Sequence, residues 1–142
     1  MENIVNGFVI SDKKEILQLQ RVKELLSASY WASNRSLDII EKSIENSICF
    51  GVYFNGNQVG FARCVTDYAT MYWLCDVIID SNYRCLGLGK ALMSAITEHD
   101  EIKPLFGLLA TTDAQGLYEQ FGFLTVDAGR YMRRGSAITS IV

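Results

Sequence analysis

The sequence predicts a mixed α/β fold, a central mixed β-sheet with helices on both faces, in the order β-α-α-β-β-β-α-β-α-β. Three observations carry this. Short apolar or alternating runs interleave with stretches whose apolar residues recur at helical spacing. Asn55-Gly56 separates two such runs and is the strongest hairpin signal in the chain. The dense run Val77-Ile78-Ile79 leads into a glycine-bearing turn, Arg84-Cys85-Leu86-Gly87-Leu88-Gly89-Lys90, that opens a helix.

The elements follow in order. Residues 4–10 read as a weak opening strand. Residues 14–29 read as a helix through Ile16, Leu19, Val22, Leu25 and Leu26, and Tyr30-Trp31 sit in a connector. Ser36 caps a second helix with Leu37, Ile40 and Ile44 on one face. Strands over 48–54 and 58–66 form the Asn55-Gly56 hairpin, and 71–79 is a strand apolar enough to be buried on both faces. Leu88, Ala91, Leu92, Ala95 and Ile96 mark a helix running to about residue 100. A strand over 105–110, a short helix over 115–121 capped by Gly122, and a final strand over 123–131 complete the chain as one domain, residues 1–142.

The turn at 84–90 has the chemistry of an anion site. Glycine lets the backbone approach a ligand, and successive N–H groups converge at the positive end of the helix dipole. A P-loop would need glycine where Arg84 stands and a hydroxyl residue where Ala91 follows Lys90. A dinucleotide fingerprint would need a third glycine at Leu92. What remains, Arg84-x-x-Gly87-x-Gly89, resembles the pyrophosphate loop of the GNAT superfamily, the acetyl-CoA-dependent N-acetyltransferases. Thr112-Asp113-Ala114-Gln115-Gly116-Leu117-Tyr118-Glu119-Gln120-Phe121-Gly122-Phe123 resembles the second signature of that superfamily, in the right order.

The resemblance implies transfer of an acetyl group from acetyl-CoA to a primary amine of a small molecule or peptide, by direct attack through a tetrahedral intermediate. It implies that Val77, Ile78 and Ile79 pair with the pantetheine arm, that the Ile79 N–H meets the thioester carbonyl, and that the fourth and fifth strands splay to admit the arm. Arg84, Cys85, Leu86, Gly87, Leu88, Gly89 and Lys90 would hold the pyrophosphate, with Ala114 and Tyr118 also at the cofactor. Cys85 stands where family members commonly carry glycine; it is either a filler or, beside a helix N-terminus, a reactive thiol. Tyr118 is the candidate general acid for the leaving thiolate, against a packed aromatic as the plain alternative. Asp76 is the candidate base or amine-binding carboxylate, against a structural aspartate satisfied by backbone N–H groups. Asp113 reads as the cap of the short helix, His99 as a helix-end residue away from the chemistry, and Asp67 as part of a turn. Tyr30, Trp31, Arg35, Asp76 and Tyr72 are candidates for the acceptor site, with Arg35 available to meet a carboxylate on the acceptor.

Composition narrows the partners. Thirteen basic against sixteen acidic residues, a net charge of −3, argue against nucleic acid. One histidine and four cysteines without a Cys-x-x-Cys pair argue against a metal. No leader or membrane-length apolar run is visible, so no membrane partner is expected and the cysteines read as reduced and cytoplasmic. A homodimer is the expected assembly, with 130–142 and its apolar Ala137, Ile138, Ile141 and Val142 as a segment that could cross to a partner. The rival to an enzyme is a non-catalytic acyl-CoA sensor, which would have less reason to retain Tyr118.

Overall fold

A computed structural model of the protein describes residues 1–135. Six strands form one sheet in chain order: β1 Glu2–Val5, β2 Phe8–Ser11, β3 Ile48–Phe54, β4 Asn57–Thr66, β5 Met71–Ile79 and β6 Phe106–Leu108. Neighbours are antiparallel through β5, and β5–β6 is parallel, so the sheet is mixed. Four α-helices accompany it: α1 Leu19–Ser27, α2 Leu37–Glu45, α3 Leu88–Thr97 and α4 Gln115–Glu119.

The apolar spacing of the helices decides which face each covers. Val22, Leu25 and Leu26 of α1 and Ile40 of α2 bury against Cys49, Phe61 and Ile78 on one side of the sheet. Leu88, Leu92, Met93, Ala95 and Ile96 of α3 bury against Ile10, Phe50, Val52, Ala62 and Leu74 on the other. Helices therefore flank both faces, as the sequence predicts. Ser36 Oγ accepts from the Ile39 N–H as the expected cap of α2. Gly122, at φ +87°, closes α4 with Gly122 N–H to Glu119 O and Phe123 N–H to Tyr118 O, the paired bonds of a Schellman end.

Three expectations are corrected. The opening strand over 4–10 is a hairpin: Asn6 and Gly7 take positive φ, as Asn55 and Gly56 do, and fold β1 onto β2. The helix expected over 14–29 is broken. A 3-10 turn covers Lys14–Ile16, and α1 begins only at Leu19. Gln18 is held in extended backbone by the β3–β4 turn, its N–H donating to Gln58 Oε1 and its Nε2 to Gly56 O. The strand expected over 105–110 is only Phe106–Leu108, and no strand forms over 123–131. That segment carries Asp127-Ala128-Gly129-Arg130, which forms a 3-10 turn, and Leu124 and Val126 stay exposed.

Candidate active site

The site starts from an irregularity in β5. The β4–β5 register pairs Arg63 with Cys75 but Phe61 with Ile78, so β5 carries an extra residue there. Asp76 sits in this bulge at φ +56°, a conformation that Asp and Asn tolerate better than most residues. On the opposite edge, β6 pairs only with Met71, Tyr72 and Trp73. Beyond Trp73 no strand of the described residues pairs with the outer edge of β5, and a cleft of about 160 Å³ opens between the two chain segments. Leu74, Cys75, Asp76 and Val77 line one side, Leu109, Ala110, Thr111, Asp113, Ala114 and Tyr118 the other, and Tyr30 and Trp31 close the end. The splay implied by the sequence resemblance is thus present as geometry.

The glycine-bearing turn lies where β5 ends. Ser81–Tyr83 forms a 3-10 turn capped by the Asp80 carboxylate, which accepts from the Asn82 N–H. Arg84 Nε donates to Ile79 O at 3.2 Å and ties the turn to the strand. Cys85 and Gly87 both take left-handed φ, +63° and +77°. Gly87 is the N-cap of α3 and has no side chain to cap with, so the N–H groups of Leu88, Gly89 and Lys90 lack intrahelical acceptors. Open space surrounds the position a Gly87 Cβ would take. These are the features a phosphate cradle requires, and Arg84, Cys85, Leu86 and Lys90 are exposed around it. Ile78 packs its side chain under α1 and α2, and Ile79 packs on the α3 side.

Asp76 is 1% exposed and fully engaged. Oδ1 accepts from Trp31 Nε1 at 3.2 Å, and Oδ2 from Arg35 Nη1 at 2.7 Å and Arg63 Nε at 2.9 Å. Arg63 Nη1 continues to Ser47 Oγ. Arg35 therefore faces a carboxylate of this chain. Arg63 is the participant that the sequence reading missed; its signal is an arginine inside the apolar run Gly60-Phe61-Ala62-Arg63-Cys64-Val65, where a charge requires a buried partner. Tyr72 is not brought to the cleft. It packs on the α3 side against Gly107 and Phe123 and borders a separate hollow of about 600 Å³ with Thr97, Ile102, Lys103 and Phe121. That hollow is more open and lies away from the turn at 84–90.

Tyr118 is half-buried on α4, edge-on to Phe123 at 6.1 Å, and its hydroxyl has no hydrogen-bond partner among the described residues. Burial first, then the nearby Tyr30 and Asp113, hold its pKa above that of free tyrosine, so it stays a proton donor across the neutral and mildly alkaline range. Cys75, also at the cleft, is pushed up to about 12 by burial and stays a thiol at neutral pH. Asp113 does not cap α4; the N-cap is Ala114, whose N–H donates to Thr111 Oγ1 at 3.1 Å. Tyr30 reaches across the cleft to Thr112 Oγ1 at 2.8 Å. Asp67 makes the expected turn, accepting from the Ala69 and Thr70 N–H groups, and His99 binds Asp12 far from the cleft. Among the described residues no group of His, Cys, Asp and Glu could hold a metal ion, and no helix is long and apolar enough to cross a membrane.

A family model of the acetyltransferase (GNAT) domain matches residues 45–124, more than half of the chain and including both the turn and Tyr118. The chain belongs to the GNAT acetyltransferase family. This GNAT chain is 34% identical to a Xanthomonas campestris protein described as belonging to the same family; the structures agree with a TM-score of 0.88 over 94% of this chain and 96% of that one. A candidate acetyltransferase of Gibberella zeae is 27% identical, with 78% of this chain and 75% of that protein covered. An uncharacterized N-acetyltransferase of Prochlorococcus marinus is 34% identical over 63% of this GNAT chain, which spans about half (51%) of that relative. A GNAT family acetyltransferase of Elizabethkingia anophelis, solved with acetyl-CoA bound, shares the fold at a TM-score of 0.65 and 14% identity, over 87% of this chain and 80% of that one.

Proposed function

We propose that the protein is an acetyl-CoA-dependent N-acetyltransferase for a primary amine. The observation that carries this is the continuity of three features along β5: an unpaired strand edge, a cleft containing Tyr118, and an uncapped helix start at the strand's end. Acetyl-CoA, bound with its pyrophosphate on the N–H groups of 84–90, would supply an acyl group already activated as a thioester. The residues fit such a ligand, because the donors of Leu88, Gly89 and Lys90 have no other acceptor in the helix and nothing crowds Gly87.

The chain's own contributions follow from position. Val77 to Ile79 would offer main-chain groups to an extended arm, as another strand would. Tyr118 would donate its proton to the departing sulfur, a role supported by its protonated state and its place on the cleft wall. Asp76, with its oxygens taken by Trp31, Arg35 and Arg63, would act by fixing Trp31 and Arg35 at the acceptor end. The cleft excludes bulk water from this exchange on the sides formed by Leu74, Val77 and Leu109.

Calorimetric titration with acetyl-CoA, free CoA and ATP tests the reading. Micromolar binding of acetyl-CoA without binding of ATP is expected, followed by thiol release with an amine. Tyr118→Phe is expected to lower turnover about a hundredfold with acetyl-CoA affinity unchanged. Acetyl-CoA binding with no thiol release from any amine would instead leave the acyl-CoA-sensor reading.

A further inference from the structure

We propose that Asp113 is the binding residue for a positively charged acceptor, an alkylammonium or diamine without a carboxylate, held between that carboxylate and the rings of Tyr30 and Trp31. The inference rests on acetyl transfer at this cleft and names the acceptor class. Two acidic residues line the cleft, and they differ. Asp76 is engaged by an indole and two guanidiniums, whereas Asp113 is exposed with no ion-pair or hydrogen-bond partner among the described residues. The capping duty that would explain an aspartate there is absent, since Thr111 receives the Ala114 N–H.

Trp31 packs against the core under α1 and α2, whereas Tyr30 is held by polar and ring contacts at the cleft. Tyr30 is half exposed, yet it is pinned to Thr112, the neighbour of Asp113, and sits edge-on to Trp31 at 5.0 Å. Trp31 is in turn pinned by Asp76. Asp113 and the two aromatic rings line the same cleft, and a carboxylate and an aromatic face attract the same charge. No lysine or arginine lines the cleft; Arg35 and Arg63 are held by Asp76. The Asp113 charge is felt inside the cleft, where it helps keep Tyr118 protonated.

The experiment uses the full chain, with n-butylamine, 1,4-diaminobutane, 4-aminobutyrate and aniline as acceptors and tetramethylammonium as a non-reacting probe. Wild type is compared with Asp113→Asn, which keeps the shape and removes the charge. The expected order of kcat/KM places 1,4-diaminobutane and n-butylamine far above 4-aminobutyrate. Asp113→Asn raises KM for the two cationic amines about tenfold, leaves the acetyl-CoA Kd and the melting temperature unchanged, and does not raise KM for aniline. Tetramethylammonium competes with n-butylamine in wild type and loses that effect in Asp113→Asn. Equal use of 4-aminobutyrate, or an unchanged KM in Asp113→Asn, overturns the proposal. If no amine is acetylated, calorimetry with tetramethylammonium decides, and equal binding by both proteins overturns it. Loss of acetyl-CoA binding in wild type would remove the acetyltransferase reading and this one together; intact acetyl-CoA binding without discrimination removes only this one.

Discussion

Replacing Asp76 by asparagine removes one charge and almost no volume, at the point where three donors meet. Asparagine tolerates the left-handed φ of +56°, so the bulge itself is not disturbed. The Arg35 and Arg63 side chains are only 8% and 9% exposed and would be left with no counter-charge on the atom they share. Removing one partner of a buried ion pair costs about 3–5 kcal/mol, a large share of the roughly 5–15 kcal/mol that stabilises a protein domain. At about 2–4 °C per kcal/mol for a chain of this size, the melting temperature should fall by about 6–20 °C. Differential scanning calorimetry measures this directly, with urea unfolding as a second probe. Combining Asp76→Asn with Arg35→Met should destabilise by about 1–3 kcal/mol less than the sum of the two single changes, because one unpaired charge is removed. A fall of under about 1 kcal/mol for Asp76→Asn would refute the buried-triad reasoning. It would mean that water or a rearranged side chain satisfies both guanidiniums.

Further outcomes are expected elsewhere. Cys85→Gly relieves a left-handed non-glycine residue worth about 1–2 kcal/mol, offset by about 0.5–1 kcal/mol of glycine entropy; urea midpoints should rise slightly, and acetyl-CoA binding should persist. Gly87→Val, by contrast, forces a β-branched residue to φ +77° at the phosphate cradle, and calorimetry should show acetyl-CoA affinity lowered by about tenfold or more. Leu92→Ala empties a fully buried position between α3 and the sheet and should cost about 2–5 kcal/mol in chemical denaturation. The Asp80 carboxyl is held below the usual range by the Asn82 N–H and, further, by Arg21. A carboxylate with a depressed folded-state pKa stabilises above its unfolded value and loses that contribution as pH falls through the folded one. The urea midpoint of wild type should therefore drop toward that of Asp80→Asn as pH falls below about 4; parallel pH profiles would contradict the assignment.

Local patterns carried most of the fold and the cofactor side of the site. Strand and helix periods placed β3, β4, β5 and α3, because each buries one face or stripe against a single neighbour. The glycine turn was legible because its chemistry is backbone chemistry, confined to seven consecutive residues. The same logic applied to Asn6-Gly7 would have found the first hairpin; Asn55-Gly56 carries the same dipeptide and the same positive φ angles.

The acceptor side was set by contacts between residues far apart in the chain. Asp76 meets Arg35 and Arg63 from two other elements, and Tyr30 meets Thr112 across 82 residues. A period-2 reading of β5 has no place for the bulge that turns Asp76 toward those arginines, and Tyr72 looks as available as Tyr30 until the sheet shows its face. Gln18 leaves its helix for the same reason, drawn out by bonds to Gln58 and Gly56. By itself the sequence determined what short-range sterics and backbone hydrogen bonding dictate: β3, β4, β5 and α3, the phosphate-type turn and the family. Only the tertiary structure decided which carboxylate is neutralised, which is free, and where β5 parts from its neighbour, because those depend on charges and edges that meet only when the sheet is assembled.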